Sequence, residues 1–222
     1  YKTKALEPFQ LYKVLSGQKK DYRIDSYVLM NKEKGPLKKL MSWIRFNIVL
    51  PDARVGWVPF AVRQGRKILR DENIDVIFSS SPPHSLQLAA QQLARKSKLP
   101  WVADFRDPWS GIHYYQEAKR LRITKIIEKL LEQKVLKSAN KVITISKHIN
   151  QQLSNLSGKT DISTIYNGYD SEDFSKSNTF KSVDKTIITY AGFLSDSQIP
   201  YSLLDTMAKT SDKQCKGIEL HL

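Results

Sequence analysis

The sequence contains a single cysteine, Cys215, among 222 residues. One thiol cannot close an intramolecular disulfide and fits no metal-binding or redox spacing, which agrees with a reducing compartment. No apolar run approaches the ~20 residues that a membrane-spanning helix needs. The Gly-x-Gly-x-x-Gly pattern that opens dinucleotide-binding domains is also missing, which argues against a dehydrogenase. The chain is therefore expected to be an ordinary globular protein.

Acidic residues are scarce relative to basic ones, since 22 Asp and Glu stand against 36 Lys and Arg and the net charge is +14. Residues 1–67 hold most of this excess, with fifteen Lys and Arg against five Asp and Glu. Such a surface attracts nucleic acid, anionic lipid or a phosphorylated substrate, or simply keeps the protein soluble. Because zinc-ligand spacings, an RNA-recognition signature and an Arg-rich recognition helix are lacking, nucleic acid is not expected as a partner.

Strands alternate with helices after the basic N-terminal third. Before about residue 41 the pattern indicates only a strand around 27–30. Further along, the sequence predicts a helix over 60–72 and strands at 74–79, 100–105, 141–146 and 162–166, with helices between the strands. This order is typical of an α/β protein with a Rossmann-like parallel sheet and right-handed crossovers.

The clearest predicted helix spans 120–137. Its apolar residues recur at three- and four-residue spacing, which predicts that one side lies on the sheet. These residues are Ile123, Ile126, Ile127, Leu130, Leu131 and Val135. A basic side formed by Arg122, Lys125, Lys129 and Lys134 is expected to face water or lipid.

The composition predicts two domains, the second of them cut short. Residues 1–170 form an N-terminal domain, and the polar segment 171–185 forms a linker. A second unit then starts at 186–222, with strands at 186–192 and 217–222 around a helix at 200–209. Because the chain opens on a tyrosine and closes on a strand, it is interpreted as a fragment.

Polar side chains gather where two predicted strands end, around residues 79–85 and 104–109. In open α/β sheets, ligands bind at the carboxyl edge of the strands. Asp107 lies past the strand end, where it can contact a substrate hydroxyl. Asp104 lies on the strand, either as a structural carboxylate or as a substrate ligand. Arg106 can hold a phosphate or pair with an aspartate, which favours substrate orientation over proton donation.

The segment upstream offers further candidates. Ser81 is predicted to cap a helix with Pro82 at its first position, leaving free amides for an anion or for sugar hydroxyls, or simply a capped helix. His84 is either a surface side chain or a substrate ligand. Trp109 and Tyr114 either form an apolar platform under a sugar ring or pack a loop onto the domain.

Four segments in succession resemble the N-terminal domain of glycosyltransferase family 4, a group of retaining enzymes with the GT-B fold. They read DVIFSSSPPHS, LPWVADFRDPW, VLKSANKVITIS and ISTIYNGYDSEDF. The resemblance spans about residues 44–174, and residues 186–222 look like the start of the C-terminal donor-binding domain. It implies two Rossmann-like domains that face a cleft, with the acceptor bound mainly by the first and a nucleotide-sugar by the second. It also implies that no metal or other cofactor is needed.

The resemblance extends to single positions. Arg106 and Asp107 stand where the family often has histidine followed by aspartate, and the aspartate fits that pattern while the arginine departs from it. Asn167 and Gly168 resemble the loop that closes the first domain at the cleft, although an ordinary turn would look the same. Gly192 resembles the glycine near the donor phosphates.

The implied activity is transfer of a sugar from a nucleotide-sugar to a glycan or lipid-linked acceptor, with retention of configuration, in cell-envelope polysaccharide assembly. The implied location is cytoplasmic, and docking of the basic surface on anionic lipid at the inner face of the membrane is a hypothesis. The family's first strand, its glycine-rich loop and most donor-binding residues are absent, so the fragment alone is expected to be inactive. Two alternatives stay open: a nucleotide-sugar 2-epimerase of GT-B fold, and a non-catalytic module that binds polyanions.

Overall fold

The computed structural model describes residues 36–111, 120–174, 186–192, 199–209 and 218–221. The strand indicated around 27–30 lies outside these residues. The chain divides between Gly168 and Tyr169 into two compact units, which are described separately. None of the described helices is both long and apolar enough to cross a membrane.

Among the described residues, two helices precede the sheet of the first unit. Helix α1 spans Pro36–Asn47, and helix α2 spans Val58–Asp71 after a single 3-10 turn at Val55–Trp57. Helix α2 confirms the predicted helix at 60–72. Helix α1 is not among the elements that the sequence predicts, because a Gly-Pro pair at 35–36 looks like a break. Proline is in fact favoured at the first position of a helix, where its missing amide proton has no partner to lose.

In the part of the first unit that the structure describes, four parallel strands form the sheet in the order β1-β2-β3-β4. They are β1 Ile77–Ser81, β2 Trp101–Phe105, β3 Lys141–Thr144 and β4 Ile162–Thr164. The register places Ser80 opposite Asp104, and Asp104 opposite Ile143. The predicted Rossmann-like α/β architecture is confirmed.

The described parts of the connections between strands contain three helices: α3 Ser85–Ser97, α4 Arg122–Ser138 and α5 Lys147–Ser157. Strands that pair in chain order through right-handed crossovers place all their helices on one face of the sheet. The core lies between that face and the helices. It includes Trp101, Ala103, Phe105, Val135, Leu136, Val142 and Leu153, none of them more than 1% exposed.

Helix α4 does not bury the predicted side along most of its length, although the predicted basic side is exposed as expected. Four of its apolar side chains point outward, with 41% to 57% of their surface exposed: Ile123, Ile126, Ile127 and Leu130. The buried side chains of the same stretch are polar, namely Thr124, Glu128 and Glu132. Apolar surface reaches the core near the C-terminal end of the helix, through the buried Val135 and Leu136 and the partly buried Leu131.

Polar partners on the inner side explain this orientation. The Thr124 hydroxyl donates to the Asn47 carbonyl at 3.2 Å, and the Arg120 guanidinium donates to Glu128 at 2.5 Å. Glu132 accepts hydrogen bonds from the loop that follows β2. Buried polar groups must be satisfied, and here they meet each other on the inner side of the helix. The apolar side is left facing outward.

The second unit contains a short parallel pair of strands. Strand β5 spans Thr186–Thr189, helix α6 spans Tyr201–Lys209, and strand β6 spans Ile218–His221. Thr186 lies opposite Ile218 and Thr189 opposite His221. The predicted strand, helix and strand are therefore all present. That this unit begins a donor-binding domain stays a prediction, as do the boundaries at 170 and 186.

Candidate functional site

The carboxyl edge of the four-stranded sheet brings two predicted site residues together. Arg106 directly follows β2, and Asn167 follows β4 on the far side of β3. The Arg106 guanidinium donates a hydrogen bond to the side-chain oxygen of Asn167, and both residues are exposed. Open parallel sheets bind their ligands at this edge.

The backbone around Arg106 is anchored from the neighbouring strand. Its amide donates to the carbonyl of Ser81 at 3.0 Å, which ties the end of β2 to the end of β1. Asp107 comes next and is exposed, and its carboxylate has no hydrogen bond to any residue that the structure describes. A carboxylate in that position can accept hydrogen bonds from a ligand.

Asp104 is held by the sheet itself. Its carboxylate accepts a hydrogen bond of 2.6 Å from the Ser80 hydroxyl, directly across the β1–β2 register. The residue is half-buried. Of the two roles that the sequence leaves open for Asp104, this geometry supports the structural one.

The prediction that Ser81 caps a helix is wrong. Helix α3 begins at Ser85, and Ser81 is the buried last residue of β1. The Ser81 hydroxyl donates to the Asp104 carbonyl at 3.3 Å and accepts from the Gln87 side chain at 3.0 Å. Pro82 is exposed in the connecting loop, outside the helix. Ser81 therefore joins two strands and a helix instead of presenting its hydroxyl to a ligand.

The N-terminus of α3 is already occupied by a carboxylate of the protein. Asp52 accepts from the Ser85 amide at 2.7 Å and from the Ser85 hydroxyl at 2.9 Å. The next two amides, of Leu86 and Gln87, bond to carbonyls of the preceding turn. Of the two alternatives that the sequence leaves open for this helix end, the structure supports the capped helix and not the open anion site. Asp52 lies 33 residues before Ser85, so no local pattern in the sequence points to it.

His84 and Trp109 are stacked on each other in the interior. Their ring centroids are 5.4 Å apart with planes inclined by 5°, and the residues are 3% and 0% exposed. Burial lowers the pKa of His84 to about 4, although the nearby Asp52 carboxylate opposes the shift, so the imidazole is neutral at pH 7. For Trp109 the structure supports the packing role over the exposed platform, and the prediction of a surface position for His84 is wrong. Contact of His84 with a substrate stays a prediction.

Glu132 of α4 fixes the loop that carries Asp107. Its carboxylate accepts from the amide of Trp109 at 3.0 Å, and from the amide and hydroxyl of Ser110 at 2.9 and 2.5 Å. Burial raises the pKa of Glu132, and these same hydrogen bonds oppose the rise. The sequence does not single out Glu132, because its partners are 22 and 23 residues away.

The structure says little about the roles predicted for Gly168, Gly192 and Tyr114. Gly168 is exposed, and a side-chain carbon added there would meet nothing within 4 Å, so the geometry does not require glycine. Gly192, in the second unit, is exposed, and an added carbon would approach the Tyr190 hydroxyl to 3.0 Å. Tyr114 lies outside the described residues. Within the described ranges, no group of three His, Cys, Asp or Glu side chains is arranged to hold a metal ion.

Two clefts open away from this edge. One, of about 530 Å³, is lined by residues such as Arg95, Lys98 and Asn140, and the other, of about 810 Å³, by residues such as Arg70 and Asp75. Both lie near the amino ends of the strands. Since open parallel sheets bind at their carboxyl ends, we assign the candidate site to Arg106, Asp107 and Asn167.

Comparison with known families gives one result. The model of the family described as Glycosyltransferase Family 4 matches residues 20–173, more than half of the chain. The matched segment contains all four strands of the first unit together with Arg106, Asp107 and Asn167. No curated protein matches the chain.

Proposed function

The chain belongs to glycosyltransferase family 4, and from this we propose that it takes part in moving a sugar from a nucleotide-sugar to a glycan or lipid-linked acceptor with retention of configuration. Sugar donor and acceptor are the substrates that membership of the family implies. The observation that carries the proposal is the Arg106–Asn167 hydrogen bond beside the exposed Asp107, at the ligand-binding edge of the sheet. The proposed location is cytoplasmic.

The proposed role of these residues is orientation and charge stabilisation. Asp107 accepts a hydrogen bond from a sugar hydroxyl, which places the reacting oxygen at the anomeric carbon. Arg106, held on one side by Asn167 and on the other by its own backbone amide, presents a fixed positive charge to the anionic leaving group. A preorganised charge of this kind stabilises the transition state without rearranging during the reaction.

In the proposed reaction, no side chain of the protein has to remove the proton from the acceptor hydroxyl. The bond between the anomeric carbon and the diphosphate oxygen breaks, and the acceptor oxygen bonds to that carbon on the same face. The proton of the acceptor hydroxyl passes to the leaving diphosphate. In this proposal no metal or other cofactor takes part.

The test is a transfer assay on the full-length protein. Labelled nucleotide-sugars are supplied as a panel, with a membrane-lipid extract as acceptor, and Asp107→Asn is compared with the unchanged enzyme. Loss of a transition-state hydrogen bond is expected to lower kcat/KM at least about tenfold. Asp71→Asn, an exposed aspartate at the end of α2, is the matched control and is expected to leave the rate unchanged.

Each other outcome overturns part of the proposal. A nucleotide-sugar epimerised at carbon 2, without labelled acceptor, would identify an epimerase. Steeply salt-dependent binding to heparin, with no response to any nucleotide-sugar, would identify a polyanion-binding module. Equal rates for the unchanged enzyme and Asp107→Asn would remove Asp107 from the site.

A further inference from the structure

The outward side of α4 carries a continuous apolar stripe formed by Ile123, Ile126, Ile127 and Leu130. Spacings of three and four residues place these side chains in a row on one side of the helix. Their exposed fractions are 57%, 54%, 41% and 57%. Single exposed apolar residues are common on proteins, but clustered ones mark a surface that contacts something other than water.

A row of basic side chains runs beside the apolar stripe. Arg122, Lys125 and Lys129 follow one another at spacings of three and four residues, and all three are exposed. The two acidic residues of α4, Glu128 and Glu132, are each 1% exposed and lie on the inner side. The outer side of the helix therefore combines apolar surface with positive charge that no acidic residue of α4 offsets.

This orientation is held by contacts that a rotation of α4 would break. Turning the stripe inward would remove the three hydrogen bonds that Glu132 accepts and would separate Glu128 from Arg120. Buried charges that lose their partners are strongly unfavourable. The fold thus keeps the stripe outward.

Helix α1 adds exposed apolar surface where it meets the start of α4. The Leu121 amide donates to the Asn47 side chain at 2.7 Å, which joins the two helices at this point. Ile48, the residue after Asn47, is 62% exposed, and Trp43, one turn earlier, is 42% exposed. Tryptophan is a favoured residue at the boundary between lipid and water.

We propose that the outer side of α4 docks in the plane of an anionic lipid bilayer. The apolar stripe enters the region between headgroups and acyl chains, and Arg122, Lys125 and Lys129 lie against the lipid phosphates. A membrane surface is the occupant that matches both properties, because it offers anionic charge and apolar depth side by side. The proposal is independent of glycosyl transfer, since binding is measured without any sugar donor.

The first experiment is flotation of the protein with vesicles. Equimolar phosphatidylcholine and phosphatidylglycerol is compared with phosphatidylcholine alone, and binding to the anionic vesicles is expected to be tighter and to weaken with added salt. The double variant Ile126→Ser/Leu130→Ser removes apolar surface without changing charge. Its partitioning into anionic vesicles is expected to fall about tenfold or more.

Two charge variants, one on α4 and one on α2, test whether α4 is the helix that binds the membrane. Each basic residue near an anionic surface strengthens binding about fivefold. Lys125→Glu/Lys129→Glu, which removes two of them, is therefore expected to weaken binding on the order of thirtyfold. Arg63→Glu/Lys67→Glu makes the same change at the same spacing on α2. Helix α2 is described throughout and has exposed basic residues but no large exposed apolar side chain, so little change is expected there.

Three results would overturn the proposal. The first is failure of the unchanged protein to float with anionic vesicles, and the second is an equal loss of binding in the α2 and α4 charge variants. The third is a concentration-dependent dimer that Ile126→Ser/Leu130→Ser dissociates, which would make a second copy of the chain the occupant. Circular dichroism of each variant separates these outcomes from unfolding, and all substituted side chains are exposed.

Discussion

The side chains of Arg106 and Asn167 are joined by a hydrogen bond across the carboxyl end of β3, although they are 61 residues apart in the chain. If Asn167 acts by holding the guanidinium, Asn167→Ala lowers kcat/KM, and the loss is much smaller when Arg106 is already alanine. A double-mutant cycle in the transfer assay measures this coupling. Because the pair is exposed, stability is expected to change by less than about 1 kcal/mol.

The control for this cycle is Asn155→Ala, an exposed asparagine on α5. It is expected to leave the rate unchanged in both backgrounds. Additive losses from Arg106→Ala and Asn167→Ala would show that the two side chains act separately, and that their hydrogen bond does not contribute to the rate.

Sequence periodicity predicted which residues of α4 share a side, but it did not reveal which side is buried. That choice depends on Asn47, Arg120 and the loop amides after β2, which supply polar partners from distant parts of the chain. A repeating pattern contains no information about such partners. Four of the six apolar residues were therefore wrongly placed, whereas Leu131 and Val135 pack against the core as predicted.

In the candidate site, too, features set by neighbouring residues were predictable, and contacts between residues far apart in the chain were not. The strands and the loops after them were predictable, so Arg106 and Asp107 were expected at the carboxyl edge of the sheet, where the described structure has them. Asn167 was expected at the cleft only from the family resemblance. Ser81 was misassigned because the residues after β1 form an irregular loop before α3 starts. Asp52 and Glu132 were missed because their partners are more than twenty residues away.

Asp52→Ala is expected to destabilise the protein through loss of the carboxylate at the start of α3. Removing a capping side chain costs about 1 kcal/mol, within a range of roughly 0.5–2 kcal/mol. Equilibrium denaturation with urea measures the difference. Asp52→Asn keeps an oxygen for the Ser85 amide and is expected to lose less, whereas a larger loss for asparagine would contradict the capping role.

His84→Phe is expected to remove part of the acid sensitivity of the protein. Because burial lowers the pKa of His84 from 6.5 to about 4, the unfolded chain binds a proton that the folded chain does not between these pH values. Stability due to this residue is complete above pH 6.5 and falls by about 3 kcal/mol as the pH drops to about 4. Phenylalanine keeps the stacking on Trp109 and does not titrate.

The measurement is the free energy of unfolding from pH 7 to pH 4 for both proteins. The unchanged protein is expected to lose more stability over this interval than His84→Phe. His148→Gln changes an exposed histidine and is expected to follow the unchanged protein. Parallel curves for the unchanged protein and His84→Phe would mean that the imidazole is not buried in its neutral form.

Glu132→Gln tests whether α4 positions the loop that carries Asp107. An amide cannot accept all three hydrogen bonds that the carboxylate accepts, so a buried donor of Trp109 or Ser110 loses its partner. The expected loss of stability is about 1–3 kcal/mol. If the loop then shifts, kcat/KM falls even though Glu132 does not touch substrate.

The pH dependence of Glu132 has the opposite sign to that of His84. Because burial raises the pKa of Glu132 above 4.5, the folded chain holds a proton that the unfolded chain releases as the pH rises through this region. Its contribution to stability is therefore greatest below pH 4.5 and declines as the pH rises through the raised value. The free energy of unfolding of Glu132→Gln is expected to decline less than that of the unchanged protein as the pH rises above 4.5. A variant with an unchanged slope and a full transfer rate would show that the loop keeps its position without this carboxylate.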